Sequence, residues 1–156
     1  MKTENILKGH ELFRSLNTKD ADLLSNASAS KTLQTGETVY TYGGRASHIF
    51  VLLNGEVHLK LPAEHQTFGI VVSKVGVGEL FGISPLLNSM TYTTTAVSAC
   101  ESEILTIEAQ VLREVLLRNA TVALDVLNRV AQVYFTRYLE VMKSLQAVVN
   151  QIPFER

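Results

Sequence analysis

Residues 43–57 read Gly43-Gly44-Arg45-Ala46-Ser47-His48-Ile49-Phe50-Val51-Leu52-Leu53-Asn54-Gly55-Glu56-Val57. Ile49–Leu53 is an unbroken apolar run, long enough for a strand and too short for an ordinary helix. Glycines bound it on both sides. Asn54-Gly55 between two apolar runs predicts a hairpin, because a type I′ turn needs φ > 0 at both central positions. On this reading Val57–Leu61 is the returning strand.

The same grammar extends outward over residues 31–107. Val39–Tyr40, Gly69–Ser73, Thr93–Val97 and Ser102–Ile107 read as further short strands. Thr35-Gly36-Glu37, Tyr42-Gly43-Gly44 and Gly76-Val77-Gly78 supply turns between them. Six or more short strands at this spacing predict a sandwich or barrel with jelly-roll-like closure.

The period changes on either side. Residues 5–28 read as helical, with Ile6, Leu7, Leu12 and Phe13 on one side. Asn17 or Thr18 then caps a second short helix through Ala21, Leu23 and Leu24. After the β region, Ala109–Leu117 reads as a short helix and Asn119 as the cap of a long one. On that long helix Leu124, Leu127, Ala131, Tyr134, Tyr138, Val141, Leu145 and Val148 alternate by three and four, which is a heptad seam. Val126, Val130, Val133, Leu139, Met142 and Val149 form a second apolar flank. A helix of about 30 residues reaches about 45 Å, more than a β domain of this size spans. One flank therefore covers the β domain, and the seam is left for a second copy, so a homodimer is the expected partner. The expected organisation is a helical segment over 1–30, a β domain over 31–107, the short and long helices over 108–150, and a tail over 151–156.

Composition removes several function classes. The chain has 156 residues, 46% apolar and 19% charged, which suits one globular domain. No apolar run approaches the roughly 18 residues of a membrane span. The N-terminus carries Glu4 and Glu11 and lacks the apolar core of a signal peptide, so a cytoplasmic protein is expected. Cys100 is the single cysteine, which excludes a disulfide framework, a multi-cysteine zinc site and an iron–sulfur cluster. Fourteen Lys and Arg against fifteen Asp and Glu give a net charge of −1, and the arginines are scattered, so nucleic acid is not an expected direct partner. No G-x-S-x-G, H-E-x-x-H or P-loop pattern is present, so no metal site and no enzymatic activity are expected.

One segment does carry chemistry. Gly76-Val77-Gly78-Glu79-Leu80-Phe81-Gly82 turns into Ile83-Ser84-Pro85, a second cap-like pair. Exposed backbone N–H groups at such a turn can hold an anion. Glu79 at its mouth can accept hydrogen bonds from a diol. The bland alternative is a plain turn with a solvated glutamate.

With these pieces in order, the chain becomes recognisable. Leu33-Gln34-Thr35-Gly36-Glu37-Thr38-Val39-Tyr40, the 43–57 stretch and Gly78-Glu79-Leu80 resemble the cyclic-nucleotide-binding domain. Ala96-Val97-Ser98-Ala99-Cys100-Glu101 before a helical C-terminus is most similar to the CRP/FNR family of transcription regulators. The resemblance implies an α+β, mainly β fold: N-terminal helices, an eight-stranded β-roll and a long C-terminal dimerisation helix. It implies a ligand-sensing domain in which Gly78, Glu79 and Leu80 open the phosphate-binding cassette, with Glu79 on the ribose 2′-hydroxyl. It also implies that residues 151–156 are a hinge towards a DNA-binding domain absent from this chain, so DNA is a partner only through that domain.

The departures are specific. Counting back from Ala96 puts Met90 where such domains place the phosphate-pairing Arg, and Thr91 at the neighbouring Ser/Thr position. Nothing from Ala46 to Leu112 is arginine. Loss of a buried guanidinium–phosphate pair costs about 2–5 kcal/mol, so cyclic-nucleotide affinity is expected to fall roughly 30-fold or more. Either backbone amides and Thr91 hold the anion, or the ligand is another small molecule, or the pocket is vestigial and the domain only dimerises. By the resemblance, Arg137 and Tyr138 lie where the long helix crosses the ligand site: Arg137 is a candidate for the missing cation and Tyr138 for a stacking partner, with a solvated Arg137 as the plain alternative. Haem-based sensing on the same scaffold is the alternative cofactor reading, with His48, His58, His65, Met90 and Cys100 as candidate ligands, though each has a plain structural role open to it. His58 alternates with apolar neighbours and should face outward, and His65 falls in the loop Pro62–Phe68.

Overall fold

Successive strands cross between two sheets, and that crossing organises the chain. The computed structural model describes residues 3–63 and 69–153. Helices α1 (Thr3–Gly9) and α2 (Thr18–Asn26) come first. Strands β1 (Ser28–Leu33), β2 (Thr38–Tyr40), β3 (His48–Asn54), β4 (Val57–Leu61), β5 (Ile70–Val75), β6 (Leu80–Phe81), β7 (Thr95–Ser98) and β8 (Ser102–Glu108) follow, with a 3₁₀ turn over Ser84–Leu87. Helices α3 (Ala109–Arg118) and α4 (Ala120–Asn150) close the described chain. One four-stranded sheet has the order β1-β8-β3-β6 and the other β2-β7-β4-β5, all pairs antiparallel. This is the β-roll with flanking helices, and the α+β, mainly β class holds.

The Asn54-Gly55 hairpin expected from the sequence does not form. β3 pairs with β6 and β8, and β4 pairs with β5 and β7, so the turn passes the chain from one sheet to the other. Only Gly55 takes positive φ, at 91°. A Cβ there would lie 2.7 Å from the Glu101 carbonyl oxygen and collide with Ser102 Oγ. The glycine thus serves a close crossing over the start of β8, where Ser102 Oγ accepts from the Glu56 amide at 3.2 Å and donates to Cys100 O at 2.9 Å. The hairpin that does form joins β4 to β5, with Val57 opposite Val75 and Leu61 opposite Ile70. Part of its expected loop, including His65 and Phe68, lies outside the described residues.

Two strands escaped the pattern reading. β1, Ser-Ala-Ser-Lys-Thr-Leu, buries only Leu33 and stands at a sheet edge, so it lacks alternation. β6 is two residues long.

β3 explains why its sequence is unbroken in hydrophobicity: both of its faces are buried. Ile49 and Val51 join Leu7, Phe13, Leu24, Leu112, Val122 and Val126 in a core between sheet and helices. Phe50 and Leu52 point into the roll with Tyr40, Leu59, Phe81 and Tyr92. Four of those residues form an aromatic cluster, with Tyr40 4.0 Å from Tyr92 and Phe50 5.3 Å from Phe81 between ring centroids. The Tyr92 hydroxyl donates to His48 O at 2.8 Å and accepts from the His48 amide at 3.2 Å, satisfying a buried phenol.

The helices are tied by one buried carboxylate. Asn17 caps α2, its side chain accepting from the Asp20 amide at 2.9 Å. Asp20 in turn accepts from Asn17, from Arg118 and from Asn119, each at 2.8 Å. Those donors, Asn119 and Asn17 foremost, hold its carboxyl below the usual aspartate range. Asn119 stands at the N-cap of α4, as expected, but its side chain makes no capping bond; its Nδ2 donates instead to Asp20 and to Val115 O, each at 2.8 Å.

α4 has 31 residues, about 46 Å of helix. Val122, Val126, Val130 and Val133 are buried against the domain. Of the second flank, Leu139, Met142 and Val149 are exposed. Every residue of the heptad seam is exposed in the isolated chain, Leu127, Tyr138 and Leu145 among them.

Two stability effects are expected. Gly55→Ala combines a left-handed φ with a backbone collision and should cost roughly 2–4 kcal/mol, read as a lower urea midpoint at unchanged slope. Burial pushes the Tyr40 phenol up to about 12, against the opposing hydrogen bond from Thr94 and charge of Arg137. A phenol with a raised folded value stabilises below its unfolded value near 10, and that stabilisation is lost as pH rises towards 12. Stability should fall between about pH 10 and 12, and Tyr40→Phe should flatten part of that fall in alkaline unfolding curves.

Candidate functional site

The Gly-rich turn is built from its own backbone. Gly78, at φ 83°, donates its N–H to Leu52 O at 2.7 Å, and the Glu79 amide donates to Gly76 O at 3.1 Å. The Glu79 carboxylate folds back and accepts from the Gly76 amide at 3.1 Å. His10 reaches the same turn: its Nδ1 accepts from the Leu12 amide at 3.3 Å, which leaves Nε2 to donate to Gly78 O at 3.0 Å. Leu80, the third residue of the trio, is buried in the core between sheet and helices.

Two adjoining cavities lie between the roll and α4. The first, about 280 Å³, has Tyr40 and Gly82 at its floor and Ser73, Ser84, Thr93 and Thr94 on its walls. From α4, Tyr134, Arg137, Tyr138 and Val141 cover it. The second, about 340 Å³, shares Ser73 and Arg137 and adds Lys74, Glu79, Arg129 and Glu140. Arg137 is half-buried and belongs to both. Its Nη2 is shut off from solvent and has no hydrogen-bond acceptor among the described residues, and the same holds for Arg129 Nε. No ion pair among the described residues involves Arg137.

The structure therefore brings Glu79, Arg137 and Tyr138 to one place, with Gly78 shaping the turn beside it. Met90 and Thr91 stand elsewhere. Thr91 bridges to Arg45, the Ala46 amide donates to Met90 O at 2.9 Å, and Met90 is 83% exposed. Met90 borders a separate cavity of about 670 Å³ with Arg45, His48 and Arg113. Thr93 and Thr94 occupy the wall that position counting assigned to Thr91. Met90 and Thr91 precede β7, which begins only at Thr95, and Thr91 bridges instead to Arg45. Arg129 was invisible as a site residue in the sequence, sitting on an apolar helix like any solvated charge.

None of the haem-ligand candidates among the described residues lines either cavity. His58 Nε2 is engaged by Glu56, His48 Nδ1 lies 2.9 Å from Ser47 Oγ, and Cys100 is exposed. His65 lies outside the described residues. Among the described residues no His, Cys or Met lines the cavities where α4 meets the roll. Among the described residues no helix is long and apolar enough to cross a membrane, and no group of three or more His, Cys, Asp or Glu could hold a metal ion.

The comparisons agree with this geometry. The cyclic nucleotide-binding domain family matches residues 30–119. A search of the curated proteins finds no match. Among solved structures, a Geobacter metallireducens protein described as cyclic nucleotide-binding is 25% identical, at TM-score 0.71, over 88% of this chain and 99% of that one. The sensor domain of the transcriptional regulator DNR from Pseudomonas aeruginosa is similar in fold, with 19% identity, TM-score 0.70 and coverage of 83% and 91%. The c-di-GMP responsive global regulator CLP from Xanthomonas campestris gives 15% identity and TM-score 0.74 over 87% of this chain and 66% of that one. With the family matched over more than half its length and the roll, turn and long helix all in place, the chain belongs to the cyclic nucleotide-binding domain family.

Proposed function

We propose that the chain is a non-enzymatic, ligand-sensing and dimerising domain, the sensor part of a CRP/FNR-type transcription regulator. One observation carries the reading: Tyr134, Tyr138 and Val141 belong to the heptad seam and also cover the cavity over the roll. A ligand in that cavity touches the surface that meets the second copy. It thereby biases the packing of the two long helices, the differential interaction that a switch requires. The neighbouring regulator sensor domains support the fold side of this reading.

The ligand is an anion held from the helix. Arg137 takes the part that an arginine in the cassette plays in domains that bind cyclic nucleotides, since position 90 is methionine and points away. Glu79, folded onto its own turn, is a poor ribose reader in this geometry.

Two outcomes test this. Leu127→Glu with Leu145→Glu should convert a dimer to a folded monomer in sedimentation velocity; a persistent dimer removes the seam from the reading. Titration calorimetry with cyclic AMP should show no binding in the micromolar range, and micromolar or tighter binding would overturn the account of position 90.

A further inference from the structure

The cavity that Arg137 caps is small and carries one charge among its described lining residues. Its volume of about 280 Å³ lies below the range of about 300–1,000 Å³ typical for drug-sized ligands. The space further inside the roll is already full. Tyr40, Phe50, Phe81 and Tyr92 pack ring against ring, and a Cβ on Gly82 would stand 2.7 Å from Phe50 and 2.9 Å from Tyr40. Deeper in the roll a base or a ribose has nowhere to go without dismantling that stack.

The lining sets the chemistry. Leu59, Val72, Ile83 and Val141 are apolar, and Tyr40, Tyr134 and Tyr138 offer ring faces. Four aliphatic hydroxyls, from Ser73, Ser84, Thr93 and Thr94, join the tyrosine phenols as uncharged polar groups of the lining. Among the described residues no carboxylate lines this cavity, and Arg137 is its only charged lining residue. Arg137 enters no ion pair among the described residues, so the part of its guanidinium that lines this cavity is free to pair with an anion, while Nη2 is closed off from solvent. A single carboxylate fits a planar fork of N–H donors well. A second negative charge would have no second cation on this side, because Lys74 and Arg129 line the neighbouring cavity.

Building on the sensor reading above, we propose that this cavity binds a small monoanion with a flat apolar body, an arene carboxylate in class. The carboxylate pairs with Arg137, the ring lies among Tyr40, Tyr134 and Tyr138, and the threonine and serine hydroxyls take the remaining lone pairs.

The test measures melting temperature and calorimetric binding of the whole chain with four probes: benzoate, 2-naphthoate, the neutral amide benzamide, and cyclic AMP. Benzoate or 2-naphthoate should raise the melting temperature and benzamide should not, since shape is kept and only the charge is lost. Arg137→Gln should weaken carboxylate binding by about tenfold to a hundredfold, while the unliganded protein melts as before. The benzamide comparison needs no variant, so it stands if Arg137→Gln folds poorly. Cyclic AMP binding that is lost in Arg137→Gln would overturn the size limit while leaving Arg137 as the sensor's cation. Carboxylates that bind Arg137→Gln as well as the parent would overturn both the inference and the role of Arg137. Absence of a response to both carboxylates would overturn the inference alone.

Discussion

The structure depends on one strand being buried on both faces. β3 has no polar side to offer water, so it must be covered twice, by helices on one side and by the facing sheet on the other. Ile49 and Val51 recruit α1, α2, α3 and the first half of α4, while Phe50 and Leu52 organise the aromatic interior. β8 repeats the arrangement, with Leu105 and Ile107 towards the helices and Ile104 towards the roll. The site inherits its geometry from this division: the helical layer places α4, the aromatic layer sets the floor, and the cavity is the gap between them.

Much of the fold was legible because burial leaves a periodic trace. The apolar runs of β3, β4 and β8, the valine stripe of α4 and the cap at Asn17 are all local signals whose partners are dictated by exposure alone. What was illegible is equally physical. The Asn54-Gly55 turn carries a hairpin composition, but composition reports permitted φ values, not which sheet the next strand joins. Gly55 meets both requirements, and the contact with Ser102, 47 residues later, decides between them. β1 gave no periodic trace because an edge strand has little to bury. Asn119 does stand at the N-cap of α4, but its side-chain partner was illegible because the Asp20 carboxylate is 99 residues away in the chain.

The site was readable in outline and blurred in detail for the same reason. Gly78, Glu79, Arg137 and Tyr138 do come to one region, yet Met90 and Thr91 do not. Position in a count does not say which way a side chain faces: Thr91 is drawn to Arg45 and Met90 to the outer surface, while Thr93 and Thr94 line the cavity. The shielded nitrogens of Arg129 and Arg137 had no sequence signal at all, since solvent exclusion at one atom is a property of assembled surfaces.

The valine stripe of α4 has a mechanical consequence. It stops at Val133; residues 134–141 continue over the cavity and 142–150 are exposed, so about 25 Å of stiff helix separates Asn150 from the last buried valine. On such an arm a tilt of about 5° at the base carries the far end about 2 Å sideways. Arg137 and Tyr138 sit just beyond the anchor, close to the fulcrum, so a sub-ångström adjustment beside them is magnified several-fold at Asn150. A ligand at that point needs only to wedge, not to push, for the change to leave the domain along the helix.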